Sequence, residues 1–175
     1  MQPEPDCRLC GLCEGRTNIV LPDGNLQSHV VFVGEAPGEN EDLQARPFIG
    51  KSGKMLEGMM NDAGFQRSDV MITNTVKCRP PKNRDPTEEE MAACRPFLES
   101  ELSGKSLVVG LGKSACRDLM GYEGKMRDVV NRIVRIRIGE TEVDFLPTYH
   151  PAACIYNKEA RTMLREAMDI VRGKL

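Results

Sequence analysis

Three short apolar runs divide the chain, and each of them ends in glycine or a polar residue. They cover residues 29–34, 69–74 and 106–112. Apolar runs without alternation are typical of strands that are buried on both faces of a parallel sheet. Two further stretches, 133–138 and 142–146, flank Gly139-Glu140-Thr141 and predict a hairpin whose second strand leads to His150.

The segments between these strands have helical features. Apolar residues at helical spacing predict a helix over about 53–64, where Gly64 supplies the stop. Thr87-Glu-Glu-Glu90 resembles a capping box that opens a helix reaching about Leu102. Further helices are predicted from Lys113 and over roughly 158–172. Strands that alternate with helices indicate the α/β class, here a three-layer α/β/α sandwich with a mostly parallel central sheet.

Chemically active residues follow the predicted strands. Glu35 comes just after the first strand, Asn74 ends the second, and His150 follows the hairpin. The carboxyl ends of parallel strands lie along one edge of a sheet, which is where open α/β sheets form their binding sites. We therefore expect these three side chains to surround one crevice although they are distant in sequence.

The stretch from residue 33 to residue 53 is the most informative part of the chain. The predicted strand ends at Gly34 and is followed by a rigid turn at 36–38. Four carboxylates lie in this stretch, those of Glu35, Glu39, Glu41 and Asp42. A lone aromatic residue, Phe48, follows between Pro47 and Ile49. A strand that ends in a glycine–proline turn with acidic residues predicts a site at this point.

Length and composition set the broad class of the protein. A chain of 175 residues with 40% hydrophobic residues predicts one domain over 1–175. No run approaches a membrane span, and no apolar stretch near Met1 resembles a signal peptide. We therefore expect a cytoplasmic protein without a membrane partner.

The charge balance gives no overall preference for nucleic acid, because the net charge is −2. Contacts with phosphates would need local clusters of Lys and Arg. One candidate is 77–84 and another comprises Arg132, Arg135 and Arg137. On charge alone, an ordinary solvated surface is the favoured interpretation of both.

Four cysteines predict a metal or cluster site. The chain has seven cysteines, and in an intracellular protein these are not expected to form a disulfide framework. Cys7 and Cys10 form a C-x-x-C pair, and Cys78 and Cys94 are separated by fifteen residues. Four thiolates suit zinc or an iron–sulfur cluster equally well by number. The wide second spacing favours a cluster, because zinc ribbons use two tight pairs.

The other three cysteines are interpreted differently. Cys13 extends the first pair, and if only two of the first three cysteines bind, spacing alone cannot choose between them. Cys116 and Cys154 lie apart from the rest, and we expect both to be small buried hydrophobic residues.

Residues 45–52, ARPFIGKS, nearly match a phosphate-binding P-loop. The motif requires a first glycine directly after a strand and a helix directly after the loop. Here Ala45 occupies the first position, ten residues separate it from the strand, and Pro47 removes a backbone N–H. We therefore expect no nucleotide binding, and assign Gly50-Lys51-Ser52 to the start of the next helix.

Four residues of the expected crevice suit the recognition and cleavage of a nucleotide. Asn74 offers a donor and an acceptor for a pyrimidine edge, and Phe48 offers a face for stacking. His150 could donate to an oxygen that gains charge, and Glu35 could hold a water or stabilise a cationic sugar. Together they could read an extruded base and cleave its bond to the sugar.

Each of these residues also has a purely structural interpretation. Asn74 could cap a turn, Phe48 could belong to the core, and His150 could be held by Pro151 and a backbone carbonyl. Each structural interpretation is about as strong as the functional one. The convergence of all four at predicted strand ends favours the functional interpretation.

The chain as a whole resembles the family 4 uracil-DNA glycosylases, iron–sulfur enzymes of archaea and thermophilic bacteria. The resemblance covers almost the whole chain, and its motifs are specific jointly rather than singly. They are Cys7-x-x-Cys10, Glu14-Gly-Arg-Thr17, Gly34-Glu-Ala-Pro-Gly38 with Glu41-Asp42, Arg46-Pro-Phe-Ile-Gly-Lys-Ser-Gly53, Ile72-Thr-Asn74-x-Val-Lys-Cys-Arg-Pro-Pro81 and His150-Pro-Ala152.

The resemblance implies roles for the candidate residues. Phe48 would stack on uracil, Asn74 would read its edge, and His150 would stabilise the uracil anion at O2. Backbone groups around Gly34 and Ala36 would line the pocket. The catalytic carboxylate would be Glu35, with Glu41 as the second candidate.

The resemblance also implies a cofactor and a DNA-binding surface. Cys7, Cys10, Cys78 and Cys94 would bind a 4Fe-4S cluster, which would leave Cys13 as an extra thiol. The loop at 152–156 would probe the duplex, with Ile155 as the wedge. The residues expected to contact DNA phosphates are Lys77, Arg79, Lys82 and Arg84.

Two related groups are distinguished by particular residues. Family 5 enzymes have a non-carboxylate residue where this chain has Glu35. The covalent uracil-DNA binders carry a reactive His between the third and fourth cluster ligands, whereas residues 79–93 contain no His. We therefore expect turnover. Since no Lys is a candidate for a Schiff base, we expect a monofunctional glycosylase without a lyase step.

The resemblance thus predicts an enzyme that starts base-excision repair as a monomer on uracil-containing single- and double-stranded DNA, with a replication clamp as a candidate partner. The alternative from another functional class is a non-catalytic DNA-binding module, held together by a metal centre, that recognises uracil without cleaving it. A zinc hydrolase is a weaker third interpretation.

Overall fold

A computed structural model describes all residues from 1 to 175. The chain folds around one six-stranded sheet. The strand order is β1-β3-β2-β4-β6-β5. The strands are β1 (Asp23–Gly24), β2 (Val30–Gly34), β3 (Met71–Asn74), β4 (Leu107–Leu111), β5 (Val134–Ile138) and β6 (Thr141–Thr148). No helix combines the length and the apolar character needed to cross a membrane.

The four central strands are parallel. β2, β3 and β4 correspond to the three apolar runs, and β6 is the second strand of the predicted hairpin. β2 pairs with β3 and β4, and β4 pairs with β6, all in the parallel sense. Gly34 lies opposite Asn74, and Leu111 lies opposite Thr148. The ends of all four strands therefore meet at one edge of the sheet. The outer strands β1 and β5 run antiparallel to their neighbours.

Helices cover both faces of the sheet, which confirms the three-layer α/β/α prediction. They are α1 (Glu39–Gln44), α2 (Lys51–Ala63), α3 (Glu88–Leu102), α4 (Lys113–Met120) and α5 (Lys158–Lys174). Apolar side chains of α2 and α5 pack on one face of the sheet, against Phe32, Ile72 and Val109. Side chains of α3 and α4 pack on the other face, against Val31 and Val33.

Local signals set the helix boundaries. Thr87 accepts a hydrogen bond from the Glu90 amide, and the Glu90 carboxylate accepts one from the Thr87 amide, which is the predicted capping box. Gly64 ends α2 in the left-handed conformation at φ 96°. Gly50 is the N-cap of α2, so the GKS sequence begins a helix as expected.

Two short elements were not predicted. β1 has only two residues, so it has no periodicity that a sequence pattern could reveal. α1 lies in the acidic run after the first turn, and Ala45 ends it with a left-handed conformation at φ 56°. The carboxylates of its first turn are favourable there, because the amino end of a helix carries partial positive charge. This helix brings Glu41 to the edge where the parallel strands end.

Candidate active site

A cavity of about 430 Å³ opens at the edge where the parallel strands end. Its wall includes Glu35, Glu41, Phe48, Asn74 and His150, so the structure brings the predicted crevice residues together. The other residues that line the cavity are Ala36, Pro37, Gly38, Ser52, Gly53, Pro80, Asn83, Arg84, Asp85 and Ala152. The sheet topology explains this convergence, since the parallel strands β3, β2, β4 and β6 are consecutive in the sheet and end at the same edge.

Phe48 forms one wall of the cavity in a constrained conformation. It is 6% exposed and its backbone is left-handed, with φ 53°. For a residue other than glycine this conformation costs about 1–2 kcal/mol, so the surroundings must stabilise it. Its ring lies over Gly34, where an added Cβ would approach Phe48 Cζ to 2.3 Å. Gly34 therefore contributes to the pocket by having no side chain, although it does not line the cavity.

Asn74 presents an unpaired polar atom to this region. Its side chain is 3% exposed, and Oδ1 is buried without a hydrogen-bond partner. A buried amide oxygen without a partner costs about 1–3 kcal/mol, a cost that a ligand donor would remove. An added Cβ on Gly34 would approach this oxygen to 2.6 Å. The amide thus lies beside the Phe48 ring, in a position to meet the edge of a stacked base.

His150 is held in one tautomer by its own loop. Its Nδ1 accepts a hydrogen bond from the Ala152 amide at 3.0 Å, which leaves the proton on Nε2. The ring centroid lies 5.7 Å from that of Phe48. The ring is partly accessible through the cavity, but protein surrounds most of it. This desolvation lowers the pKa of His150 to about 4, with the charge of Glu41 acting in the opposite direction. The imidazole is therefore a neutral donor near pH 7.

Glu35 is a carboxylate with an unusual environment. Burial raises its pKa, the Ser114 hydroxyl opposes that shift, and nearby Asp85 raises the pKa further. Ser114 Oγ donates to Glu35 Oε2 at 2.6 Å. Ser114 thus fixes one oxygen of Glu35, and Asp85 lies close to the same carboxylate. Neither Ser114, in the first turn of α4, nor Asp85, in the proline-rich loop after β3, was predicted from the sequence.

Glu41 lies in the same wall but its oxygens are occupied. Oε1 accepts a hydrogen bond from the Gly38 amide at 3.1 Å. Oε2 accepts from the amides of Ile49 and Gly50 at 3.0 and 2.6 Å. The carboxylate therefore joins the turn after β2 to the loop that carries Phe48. Asp42 has a comparable role, since it accepts hydrogen bonds from the Thr17 amide at 2.9 and 3.1 Å.

Lys77 corrects one expectation about the DNA-binding surface. It is 1% exposed, and its ammonium donates to Glu101 Oε1 at 2.7 Å, to Thr73 Oγ1 at 2.8 Å and to the Asn74 carbonyl at 2.5 Å. A buried ammonium with three partners has no access to a phosphate. Lys77 instead supports the backbone of Asn74 from inside the protein.

The other predicted phosphate contacts remain at the surface. Lys82 is exposed, and Arg79 Nε donates to Asn83 Oδ1 at 2.8 Å. Arg84 lines the cavity and pairs with Glu90 at 2.8 Å, where its guanidinium lowers the pKa of the Glu90 carboxyl to about 2. The loop over 79–84 is therefore adjacent to the mouth of the cavity.

The predicted wedge loop is short and ordered by a single turn of helix over Pro151–Cys154. Ile155 is half-buried, whereas the neighbouring Tyr156 is 95% exposed. Asn157 caps α5 by accepting a hydrogen bond from the Ala160 amide at 3.1 Å. Tyr156 rather than Ile155 is thus the exposed side chain of this segment.

The four predicted cluster ligands lie together in a separate small core. Cys78 and Cys94 are buried with Leu12, and Cys7 and Cys10 pack against them. Burial raises the pKa of Cys78 to about 11 and also raises the pKa values of Cys94 and Cys10. Buried thiols of this kind release their protons when a cationic metal centre compensates the thiolate charge. The donor set therefore fits a metal–sulfur centre.

A cationic side chain lies close to these thiols, and no group of three or more Cys, His, Asp and Glu side chains is close enough to hold a single metal ion. This side chain is Arg16, whose Nη1 lies 3.6 Å from Cys78 Sγ and donates a hydrogen bond to the Cys7 carbonyl at 2.7 Å. The positive guanidinium therefore lies next to the thiols.

Of the three remaining cysteines, two have the buried environment that the sequence predicts. Cys116 and Cys154 are 0% exposed and pack in the two main cores, as predicted. Burial raises the pKa of Cys116 to about 12, which is typical of an inert thiol. Cys13 is partly buried beside the first pair.

The fold and the cavity define the class of this protein, and comparison with known proteins agrees. The family model described as the uracil DNA glycosylase superfamily matches residues 21–172. The chain is 40% identical over 176 residues to the type-4 uracil-DNA glycosylase of Sulfurisphaera tokodaii, covering 95% of this chain and 79% of the relative. It is 39% identical over 178 residues to the type-4 uracil-DNA glycosylase of Thermotoga maritima, covering 96% and 88%.

A type-5 uracil-DNA glycosylase of Pyrobaculum aerophilum is 33% identical over 156 residues, covering 76% of this chain and 65% of the relative. Both identity and coverage are thus lower than for the two type-4 relatives. The chain belongs to the uracil-DNA glycosylase superfamily and, within it, to the type-4 family.

Proposed function

We propose that this protein is a uracil-DNA glycosylase that binds uracil flipped out of DNA and hydrolyses its N-glycosidic bond. The observation that carries the proposal is the buried Asn74 Oδ1, which lacks a partner beside the Phe48 ring. This arrangement suits a flat base that can stack on an aromatic ring and donate a hydrogen bond from its edge. The product is an abasic site, with which base-excision repair begins.

Asn74 accounts for the choice of base. Its Oδ1 accepts from uracil N3–H, and its Nδ2 donates to uracil O4. Cytosine presents a 4-amino group where uracil presents O4, so two donors would face each other. Such a mismatch in a buried site costs more than the loss of one hydrogen bond in water, because neither donor can turn to solvent.

His150 stabilises the leaving group. As the bond between C1′ and N1 breaks, its electron pair remains on uracil and spreads over both carbonyl oxygens. The Nε2 proton of His150 can be donated to O2 in a hydrogen bond that strengthens as this charge develops. A neutral imidazole fits the role, and the environment of the ring lowers its pKa to about 4. Donors fixed in a desolvated site stabilise such charge most effectively.

Glu35 holds the water. Ser114 occupies Oε2, so the second oxygen can orient a water towards C1′ and its charge can stabilise the positive sugar. The water oxygen forms the new bond to C1′, and its proton passes to Glu35 or to solvent. Glu41 is assigned a positioning role instead, because three backbone amides occupy its carboxylate.

The four clustered cysteines, Cys7, Cys10, Cys78 and Cys94, would hold a 4Fe-4S cluster. The cluster would join the amino-terminal segment to the loop after β3 and to α3. Its contribution would be structural, because the cysteines form a core of their own and none of them lines the cavity. The cross-link would order the surface loop that carries Arg79, Lys82 and Arg84 for contact with DNA phosphates.

The reaction is expected to stop at the abasic site. A lyase step needs an amine that attacks C1′, and no Lys lines the cavity. We further propose that the enzyme acts as a monomer. Both single- and double-stranded DNA are proposed substrates, since an extruded base is recognised in either context.

The decisive experiment incubates the protein with an oligonucleotide that contains one uracil and then treats it with alkali. Strand cleavage only after alkali supports a monofunctional glycosylase. Cleavage without alkali would show a lyase step, and binding without base release would favour a non-catalytic binding module. An oligonucleotide with thymine in the same position is the matched control.

A further inference from the structure

Arg67 contacts the backbone of the loop that carries Phe48. It lies in the short helix Arg67–Asp69 that precedes β3, and its side chain is 11% exposed. Nη1 donates to the Phe48 carbonyl at 2.7 Å, and Nη2 donates to the Pro47 carbonyl. Nη2 also donates to Asp23 Oδ2 at 3.0 Å, which orients the guanidinium. Two consecutive carbonyls of the loop are thus held by one planar group.

Glu41 holds the same loop by its amides. Its carboxylate accepts hydrogen bonds from the next two residues, Ile49 and Gly50, as described above. The loop is therefore fixed through two carbonyls by a cation and through two amides by an anion. Gly53 completes the enclosure, because an added Cβ there would lie 2.0 Å from the Phe48 carbonyl oxygen. These contacts surround Phe48, whose backbone is left-handed.

We propose that Arg67 is a positioning residue that holds the Phe48 ring in its stacking orientation and thereby sets the affinity of the pocket for the flipped base. The proposal rests on the proposed function, in which Phe48 stacks on uracil. Arg67 does not line the cavity. Its influence passes through the backbone of Phe48, which would otherwise relax from the left-handed region and rotate the ring away from Gly34.

Arg46 provides a matched control. It pairs with the same oxygen, Asp23 Oδ2, at 2.8 Å, but its side chain is 55% exposed and donates to no carbonyl of the loop. Arg46→Met removes an exposed ion pair with Asp23, whereas Arg67→Met removes an ion pair and the two carbonyl contacts. Arg67→Lys keeps the positive charge near Asp23 but loses the planar fork that reaches both carbonyls.

The test measures two affinities of each folded variant. The first is inhibition by free uracil, which depends on stacking, and the second is binding to DNA with an abasic site, which has no base to stack. We expect Arg67→Met and Arg67→Lys to weaken uracil inhibition roughly tenfold, equal to about 1.4 kcal/mol. Abasic-site binding should change less than twofold in both, and Arg46→Met should change neither affinity.

A double-mutant cycle then identifies the route of the effect. If Arg67 acts through the aromatic ring, Arg67→Met should add nothing to the loss of uracil affinity caused by Phe48→Ala. Additive losses would overturn the proposal, as would unchanged uracil inhibition in both Arg67 variants or equal losses of both affinities. If Phe48→Ala itself leaves uracil inhibition unchanged, the stacking role in the proposed function fails instead.

Discussion

The rings of Phe48 and His150 lie 5.7 Å apart at an angle of 35° to each other. They are tilted, so they do not stack on one another and leave space for a flat group against the Phe48 face. One ring offers an apolar surface and the other offers a hydrogen-bond donor at its edge. In the proposed mechanism, this pairing would place the surface that holds a base and the group that stabilises the charge of the departing base on adjacent walls of one cavity.

Asn74→Asp should relax base choice towards cytosine. The carboxylate that replaces the amide can no longer donate to O4, but it can accept a hydrogen bond from the 4-amino group. The ratio of excision rates for uracil and cytosine in the same oligonucleotide is the measurement. Asn61→Asp, which changes an exposed residue of α2 in the same way, should leave the ratio unaltered. Unchanged selectivity in Asn74→Asp would exclude Asn74 as the reader of the base.

Glu35→Gln and Glu41→Gln should separate chemistry from structure. Glu35→Gln should reduce the single-turnover rate about 10²–10⁴-fold, the range for a group that assists proton transfer, while the protein stays folded. Glu41→Gln should reduce the free energy of unfolding by about 1–3 kcal/mol, because an amide oxygen replaces a carboxylate that bonds three amides. Urea unfolding and rapid-quench assays measure the two effects. Equal effects of both variants on rate and stability would contradict this division.

The His150 ring should make the protein less stable in acid. Its pKa of about 4 in the folded state is below the ordinary value of 6.5, so the unfolded chain takes up a proton first as the pH falls. Stability is therefore retained above pH 6.5 and lost as the pH falls towards 4, by about 2 kcal/mol between pH 7 and pH 5.

The measurement compares urea unfolding of the parent protein and His150→Gln at the two pH values. The difference between the two proteins isolates this group, because the raised pKa of Glu35 acts in both with the opposite sign. A loss of stability that is the same in parent and variant would mean that another group is responsible.

Lys77→Met should destabilise the fold without changing the salt dependence of DNA binding. The substitution leaves Glu101, whose side chain is 9% exposed, as a buried unpaired carboxylate, at a cost of about 3–5 kcal/mol. Lys77→Met with Glu101→Leu should recover much of that loss. Lys82→Ala should instead leave stability unchanged and reduce the salt slope of DNA binding by about 0.9, the value for one phosphate contact. If the stable variant with both Lys77→Met and Glu101→Leu also had a lower salt slope of DNA binding, the Lys77 side chain would have to leave its buried position when DNA is bound.

Cys94→Ala should abolish the cofactor, whereas Cys116→Ala should not. The purified protein should be brown, with broad visible absorption and equimolar iron and sulfide. Cys94→Ala should lose that absorption, because one of four ligands is missing, and should unfold at a lower temperature. Cys116 is also a buried cysteine, yet it lies in the main core and should affect neither iron content nor colour. A colourless protein containing zinc would contradict the cluster assignment.

The sequence predicted those parts of the site that depend on the pattern of apolar residues in the strands. Three buried strands were recognisable from apolar runs and a fourth from the hairpin that leads to His150, and parallel pairing then required Glu35, Asn74 and His150 to meet. Arg67, Ser114 and Asp85 were missed because each is a polar residue in an ordinary surface sequence. Their significance depends on hydrogen bonds to residues at least 19 positions away.

Lys77 was misassigned for a related physical reason. A lysine beside arginines and prolines in a loop predicts a solvated charge, and only the tertiary structure supplies Glu101, 24 positions away, as its buried partner. The two-residue strand β1 was invisible for lack of length. Its contribution is nevertheless specific, because Asp23 orients the guanidinium that contacts the Phe48 loop.

The order of the strands along the chain has a consequence during synthesis. The amino-terminal half contains Glu35, Phe48 and Asn74, whereas His150 follows β6, which pairs with β4 near the end of the chain. During synthesis, β6 can pair with β4 only after residues 141–148 have been made. In the proposed mechanism, a growing polypeptide would thus gain the surface that holds a base before the group that stabilises the departing uracil. Excision would then require β6 to be in place.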